Sequence, residues 1–443
     1  MTEVAEPVET GQSTLFSRLI LIWLLGTLVL LPVDLVHLPL NMSLVDGLIV
    51  MALPFLWLAF ARRPYPINFT YALPMWLILV ASFISTLGAP APRNGLIVIL
   101  KEIYAYIWFL TMIAVLARLN ARDLYLCLVV WAATVLLHGC VILAQFLSPA
   151  IWEFTMKLAG SAKGYAIYRP SGFFVNANPA ALFQLLGFVP LVLVSPSQKT
   201  GMFLASFLFL TMVATGSMGA TLAFMSGLAV ALIAICLCGH LSVVLRMFAR
   251  LAVVLLLLAG LLAVVVSQNE RYQDHIERIL VGRSEKSSEG RFDLWQRGFN
   301  AYLDHDAYFW GVGPENFRMV DEKMADNQLH NEFLAFLVER GLLGSLGLIA
   351  FGVIAVGRAV SLFLLTNQKP AHTQLTSVVF LAAMVATLVE SLTHQVFHFR
   401  ELWLVLAFQE AILFKLEAGD RWPVFAPYRR QARVIANRVA EPT

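Results

Sequence analysis

Apolar residues along this chain gather into long runs broken by short polar segments, and about 17 to 25 consecutive apolar residues suffice to cross a bilayer as a helix. The runs predict spanning helices near 18–37, 44–61, 71–87, 96–117, 124–147, 178–195, 201–215, 218–238, 247–267, 342–365, 374–393 and 401–416, twelve in all. Only Gly216-Ser217-Met218-Gly219 separates the seventh from the eighth. Two longer polar excursions stand out, 148–177 and 268–341. The fold expected is therefore all-α and polytopic, with about twelve transmembrane helices and a large, mostly helical outer loop. Residues 1–17 form an acidic tail, 18–267 the first nine helices with an outer loop at 148–177, 268–341 the large loop, 342–416 the last three helices and 417–443 a basic tail.

Within the larger excursion the polar pattern becomes helical just before the tenth span. Phe333, Leu334, Leu337 and Val338 fall on one helical face, while Glu332, Glu339 and Arg340 lie off it. Asn331 or His330 is a candidate N-cap, Glu332 suits the positive end of the helix, and Gly341 is a candidate stop before Leu342. Upstream, Arg291 precedes Trp295 on a second amphipathic helix, with Asp293 or Glu289 as possible ion-pair partners. The Ser, Glu and Lys run at Arg283–Gly290 reads as a mobile loop. In the shorter excursion Arg169 stands ahead of Pro170, Gly172, Asn176 and Asn178, turn-forming residues directly before a span.

Composition strengthens the membrane assignment. Of 443 residues 59% are hydrophobic and only 13% charged, and the mean hydropathy is +0.76, which excludes an ordinary soluble domain. Lys and Arg set the orientation. With the N-terminus inside, Arg62, Arg63, Arg118, Arg122, Lys199, Arg246, Lys369 and the tail arginines from Arg421 onward are cytoplasmic, so both termini are cytoplasmic and 268–341 is outside. The first apolar segment lacks a small-residue cleavage site and is expected to be retained. The tail, with Trp422, Phe425 and Tyr428 among its arginines, suits an interfacial helix or a plain positive-inside tail. Cys127, Cys140, Cys236 and Cys238 lie in or beside spans and imply neither a disulfide framework nor a metal site.

Several polar groups compete for a chemical role. Asp304-His305-Asp306 resembles the metal-holding tripeptide of soluble nucleotide-sugar transferases, but its outer placement and flanking residues favour a turn. His394, Gln395 and His398 have no carboxylate before Glu401 and make a poor metal cluster. Arg400, with Trp403, reads as an interfacial anchor that also lines the outer face. Lys101 and Glu102 fall inside a span, where an ionisable residue is functional or paired, with each other or across helices.

The pattern Gly311, Gly313, Phe317, His330, Asn331, Leu334, Glu339, Gly341 and Gly344, with Arg169 before a span and Arg291 opening a helix, resembles the O-antigen ligase and Wzy-type polymerase superfamily. The resemblance implies a bacterial inner-membrane glycosyltransferase with a periplasmic site and a polyprenyl-diphosphate-linked glycan donor. Transfer would be inverting and would need no metal or other cofactor. For a ligase the acceptor is lipid A-core. The polymerase alternative uses the same donor, but neither Arg169 nor Arg291 has the Gly eleven positions on that paired polymerase motifs carry; only Arg271–Gly282 fits. A protein O-oligosaccharyltransferase is a further alternative. A transporter of lipid-linked sugar would need charges in apposed spans. No nucleic-acid partner is expected; the bilayer is one.

The chemistry explains the residue types. A guanidinium is permanently charged and grips phosphate oxygens in a fork, so Arg169 and Arg291 suit the leaving diphosphate. The acceptor hydroxyl loses a proton as it attacks, and histidine, with a pKa of about 6.5, is the side chain best placed to take it. His330 is the expected base. Asn178, Asn331, Glu339 and Arg400 are expected to line the site.

Overall fold

The computed structural model describes residues 11–34, 37–38, 42–61, 69–158, 169–195, 198–239, 284–304, 308–320, 329–366 and 371–417, with isolated positions at 253, 256 and 260. They are helical apart from turns and one short antiparallel pairing, of His37–Leu38 with Met42–Ser43. The helices are α1 (Gly11–Leu30), α2 (Leu44–Ala61), α3 (Ala72–Leu87), α4 (Pro92–Leu116), α5 (Ala121–Leu147), α6 (Pro149–Leu158), α7 (Ala177–Leu186), α8 (Phe188–Val194), α9 (Gln198–Ala214), α10 (Met218–Leu237), α11 (Ser284–Asp304), α12 (Phe317–Val320), α13 (Glu332–Thr366), α14 (Ala371–Ser391) and α15 (Arg400–Glu417).

Among the described residues, five segments are long and apolar enough to cross a membrane: Pro92–Leu116, Ala121–Leu147, Ala177–Val194, Met218–Leu237 and Glu332–Thr366. Shorter apolar helices occupy Ser17–Leu30, Leu44–Trp57, Ala72–Leu87, Lys199–Ala214 and Ser377–Ser391. The expectation of twelve spans therefore goes further than the described helices do, and the span near 247–267 lies outside the described residues except for isolated positions.

Local sequence explains several boundaries. Asn120 caps α5 by accepting the backbone N–H groups of Arg122 and Asp123 at 3.0 and 2.9 Å. Pro92 starts α4, where its missing N–H costs nothing. The expected 178–195 span breaks at Gly187: Pro190 cannot donate to residue 186, and its ring crowds that carbonyl. The run expected as a mobile loop up to Gly290 instead forms, from Ser284, the first turns of α11.

Helices α3, α4, α13 and α15 pack around an aromatic centre. Tyr71, Phe109, Phe351, Phe397 and Trp403 meet there with ring centroids 5.2 to 5.5 Å apart. Their polar faces are not left to solvent. Arg340 on α13 reaches Glu102 on α4 at 2.6 Å and Ser82 on α3 at 3.0 Å, while Ser82 donates to the second Glu102 oxygen at 3.0 Å. Arg400 on α15 takes both oxygens of Asp46 on α2, at 2.7 and 2.6 Å. Arg358 and Tyr71 share Glu410.

These contacts correct the amphipathic reading of 331–340. Glu332 and Arg340, placed off the apolar face, are each only 2% exposed, and Phe333, Leu334 and Leu337 are half-buried. An arginine without water needs charge compensation, and Glu102 supplies it. Of the two alternatives for Lys101 and Glu102, the cross-helix one holds for Glu102; Lys101 is exposed.

Candidate active site

The site is built where three loops meet at one end of the bundle. The segment 308–313 runs along the break in α13: Val312 and Gly313 donate to the carbonyls of Val338 and Glu339, and Leu342 donates to Tyr308, each at 2.9 Å. Gly311 and Gly341 make this possible. Both have positive φ, 76° and 63°, and a Cβ on either would overlap the opposing backbone, at Glu339–Arg340 and Phe309–Trp310 respectively. Gly341 is thus a sharp kink, as expected of a helix stop, although helix continues on both sides. The docked loop fixes where the 329–331 turn emerges.

That turn carries His330. Asn331, not His330, is the cap: its Oδ1 accepts the N–H of Leu334 at 3.0 Å. His330 has a left-handed backbone, φ 48°, which is uncommon for a side chain with a Cβ. Before it, the Leu329 carbonyl accepts the indole N–H of Trp295 at 2.9 Å, tying the turn to α11. After it, the Glu332 carboxylate accepts the backbone N–H groups of Val396 and Phe397, the latter at 2.9 Å. One carboxylate therefore clamps the 392–399 turn beside the 329–331 turn.

Arg169 arrives from the third loop. Gln145 on α5 accepts the N–H groups of Ser171 and Gly172, both at 2.8 Å, and donates to the Gly172 carbonyl at 2.9 Å. Trp152 on α6 donates to the Arg169 carbonyl at 2.9 Å. The guanidinium itself donates to Thr215 O at 3.0 Å and Asn178 Oδ1 at 3.1 Å. Asn178, expected as site-lining, holds Arg169 directly.

The three sequence candidates converge on a group that the sequence reading set aside. The His330 and His394 rings stack with centroids 5.9 Å apart, and Phe399 stacks on His394 at 5.7 Å. Arg291 lies within electrostatic reach of His330, His394 and Glu390, and Arg169 within reach of His394. Asp293, a possible partner for Arg291, is taken by Arg297 at 2.8 Å. Burial, then Arg291 and Arg318, hold His330 below its ordinary value of 6.5. Burial, reinforced by His330, Arg291 and Arg169, drives His394 down to about 3. Both imidazoles are therefore neutral near pH 7. Their Nδ1 atoms and both oxygens of Glu390 are buried without a hydrogen-bond partner among the described residues.

Other candidates go elsewhere. Glu339 lies 3.2 Å from Arg340 and belongs to the Glu102 network. Arg400 is locked to Asp46. His398 lies 3.8 Å from Glu102. His305, Asp306 and the Arg271–Gly282 pair lie outside the described residues. An apolar cleft lined by Phe333, Leu348, Phe351, Ala355, Met384 and Leu388 flanks the site. The sequence reading missed Glu332, Glu390 and His394 as parts of the site. Glu390, an acid inside the expected span 374–393, carried the usual signal of an intramembrane ionisable residue.

Residues 203–349 match a family model described as O-antigen ligase. The match takes in Arg291, His330 and the glycine pair Gly311 and Gly341, and leaves Arg169, Glu390 and His394 outside it. No curated protein matches the chain. Over that stretch, about a third of the chain, the protein is similar to the O-antigen ligase family, at a level that does not separate ligases from polymerases.

Proposed function

We propose that the protein is an integral-membrane glycosyltransferase, an O-antigen ligase, that moves a glycan from undecaprenyl diphosphate to lipid A-core oligosaccharide at the periplasmic face of the bacterial inner membrane. The observation that carries this reading is His330, a neutral imidazole with an unpartnered buried Nδ1, held within reach of Arg291 and stacked on His394, which Arg169 reaches in turn. In the step, an acceptor hydroxyl attacks the anomeric carbon and its proton passes to His330. The anomeric C–O bond to phosphorus-bound oxygen breaks, and the diphosphate leaves with the electron pair. Arg169 and Arg291 hold its growing charge, the role for which preorganised cations are most effective. No metal or other cofactor enters this scheme. Direct inversion at the anomeric carbon follows from a single displacement.

The lipopolysaccharide profile of a deletion strain tests the assignment. Loss of a ligase leaves bare core, with polymerised glycan still on the lipid carrier. Core bearing a single repeat would instead identify a polymerase, and an unchanged profile with a lost protein glycoform would identify a protein O-oligosaccharyltransferase. In the proposed orientation both termini are cytoplasmic and 268–341 periplasmic. Reporter fusions near Asp304 that read cytoplasmic would overturn that orientation and the donor with it.

A further inference from the structure

The described residues contain few buried polar side-chain atoms without a partner, yet four of them, His330 Nδ1, His394 Nδ1 and the two Glu390 oxygens, belong to neighbouring residues. Buried polar groups are nearly always satisfied, so such a concentration calls for an absent partner. Glu390 is fully buried and His394 only 5% exposed. Their positions are enforced from several sides. Thr393 and His394 turn back onto the Glu390 carbonyl at 2.8 and 2.9 Å through their backbone N–H groups. Gly219, at the start of α10, leaves room for the Glu390 carboxylate: a Cβ there would lie 2.9 Å from Oε2 and would overlap the Thr393 hydroxyl. The Thr393 hydroxyl itself donates to the Glu390 backbone at 3.1 Å.

The chemistry of the missing partner follows from the charges. Arg169 and Arg291 supply the cationic side, to which an anion would go. Glu390 faces that side with two buried, unpartnered carboxyl oxygens, a poor match for a phosphate but a good one for sugar hydroxyl groups, which both accept and donate. Neutral imidazoles can accept from, or donate to, the same kind of group. We propose that Glu390 and His394, with Nδ1 of His330, form the hydroxyl-binding wall that orients the acceptor sugar against the base. The proposal rests on the glycosyl-transfer reading and adds to it two residues that bind the acceptor rather than the donor. His330 then serves at the boundary of the two subsites, and Glu332 holds His394 there by clamping the turn that follows it.

The test is steady-state transfer by the full-length protein in proteoliposomes, with an undecaprenyl-diphosphate-linked glycan as donor and rough lipopolysaccharide as acceptor. Leaving a buried hydrogen-bonding group without its partner costs about 1–3 kcal/mol, so Glu390→Gln, which replaces one of the two oxygens by an amide donor, should raise the acceptor KM by roughly fivefold to a hundredfold. Donor KM should stay within about twofold. His394→Asn should act in the same direction and carries the test alone if Glu390→Gln fails to insert. Acceptor KM unchanged, or donor and acceptor KM raised equally, would overturn the proposal, since a merely structural role has no reason to select the acceptor. Binding of rough lipopolysaccharide without donor, followed by tryptophan fluorescence, separates the two levels of argument. If wild-type protein transfers no glycan yet binds acceptor in a Glu390-dependent way, the glycosyl-transfer reading fails and the subsite stands. If it transfers glycan and the variants bind acceptor normally, the subsite fails and the reading stands.

Discussion

Two buried clusters of ionisable groups lie near each other in this bundle and are built on opposite terms. Around Arg340, nitrogen and oxygen atoms satisfy one another: Glu102 at 2.6 Å, Ser82 at 3.0 Å and Glu339 at 3.2 Å, with the guanidinium 4.1 Å from the Phe336 ring centre. Around His330, by contrast, two imidazole nitrogens and two carboxylate oxygens have no partner among the described residues. A closed network offers nothing to a ligand and joins α3, α4 and α13. An open one is costly to the resting protein, because each buried polar atom has given up water without replacement. The contrast separates residues that resemble each other in sequence: Glu339 and Arg400, both expected to line the site, serve structural pairs, whereas Glu390, at the end of α14, faces the open cluster.

The largest expected effect breaks the open cluster at its base. A general base contributes about 10²- to 10⁴-fold, so His330→Ala should lower transfer by that factor at normal membrane levels and with thermal stability nearly unchanged. Because Asn331 supplies the cap, His330→Asn and His330→Ser should be no better; near-normal transfer by either would remove His330 from the chemistry.

Breaking the closed network should show the reverse profile. Arg340→Met takes from buried Glu102 its arginine and leaves only Ser82 and the more distant His398 beside it; breaking a buried ion pair typically costs about 3–5 kcal/mol, so the unfolding midpoint in detergent should fall clearly. Adding Glu102→Gln should recover much of the loss. If Arg340→Met alone left the midpoint unchanged, the network would not hold these helices together.

A subtler change tests the donor side. Arg291→Lys keeps the charge but loses the planar fork, and should raise donor KM by about tenfold, the scale of one charged hydrogen bond, with acceptor KM unchanged. Equal effects on both substrates would take Arg291 away from the diphosphate.

The smallest effect is electrostatic. Burial depresses the His330 pKa first, and Arg291 and Arg318 lower it further. Removing one of those positive charges makes protonation easier, so Arg318→Gln should move the acidic limb of the pH–rate profile to higher pH by less than about one unit, the scale of a partly screened charge. An acidic limb that stays put would mean that His330 does not govern it. The same sign applies to stability through His394: it binds protons in the unfolded chain at its ordinary 6.5 but in the folded one only near about 3. Stability should therefore decline as pH falls between those values.

Part of the candidate site is legible from residue type and position. A diphosphate calls for forked cations and an attacking hydroxyl for a base, which points to Arg169, Arg291 and His330, and the fold brings the three around His394. The cap at Asn331 and the break at Gly341 were local and readable. Glu332 was not: a charge at a helix start looks solvated until the turn at 396–397 is seen to lie on it. His394 stands in sequence beside Gln395 and His398, but its ring partners, His330 and Phe399, come from a distant turn and from the next helix start.

What the sequence determined by itself is whatever depends on neighbours along the chain. Long apolar runs require helices, because only a helix satisfies its own backbone in lipid, and caps, prolines and glycines fix where those helices start, break and stop. Which charge meets which is a different kind of fact. Glu102 and Arg340 are 238 positions apart and Asp46 and Arg400 are 354 apart, and no periodicity records such pairings. Only the packed structure decided that Arg340 is neutralised while Glu390 is left open, because the cost of a buried charge depends on the atoms that surround it in space.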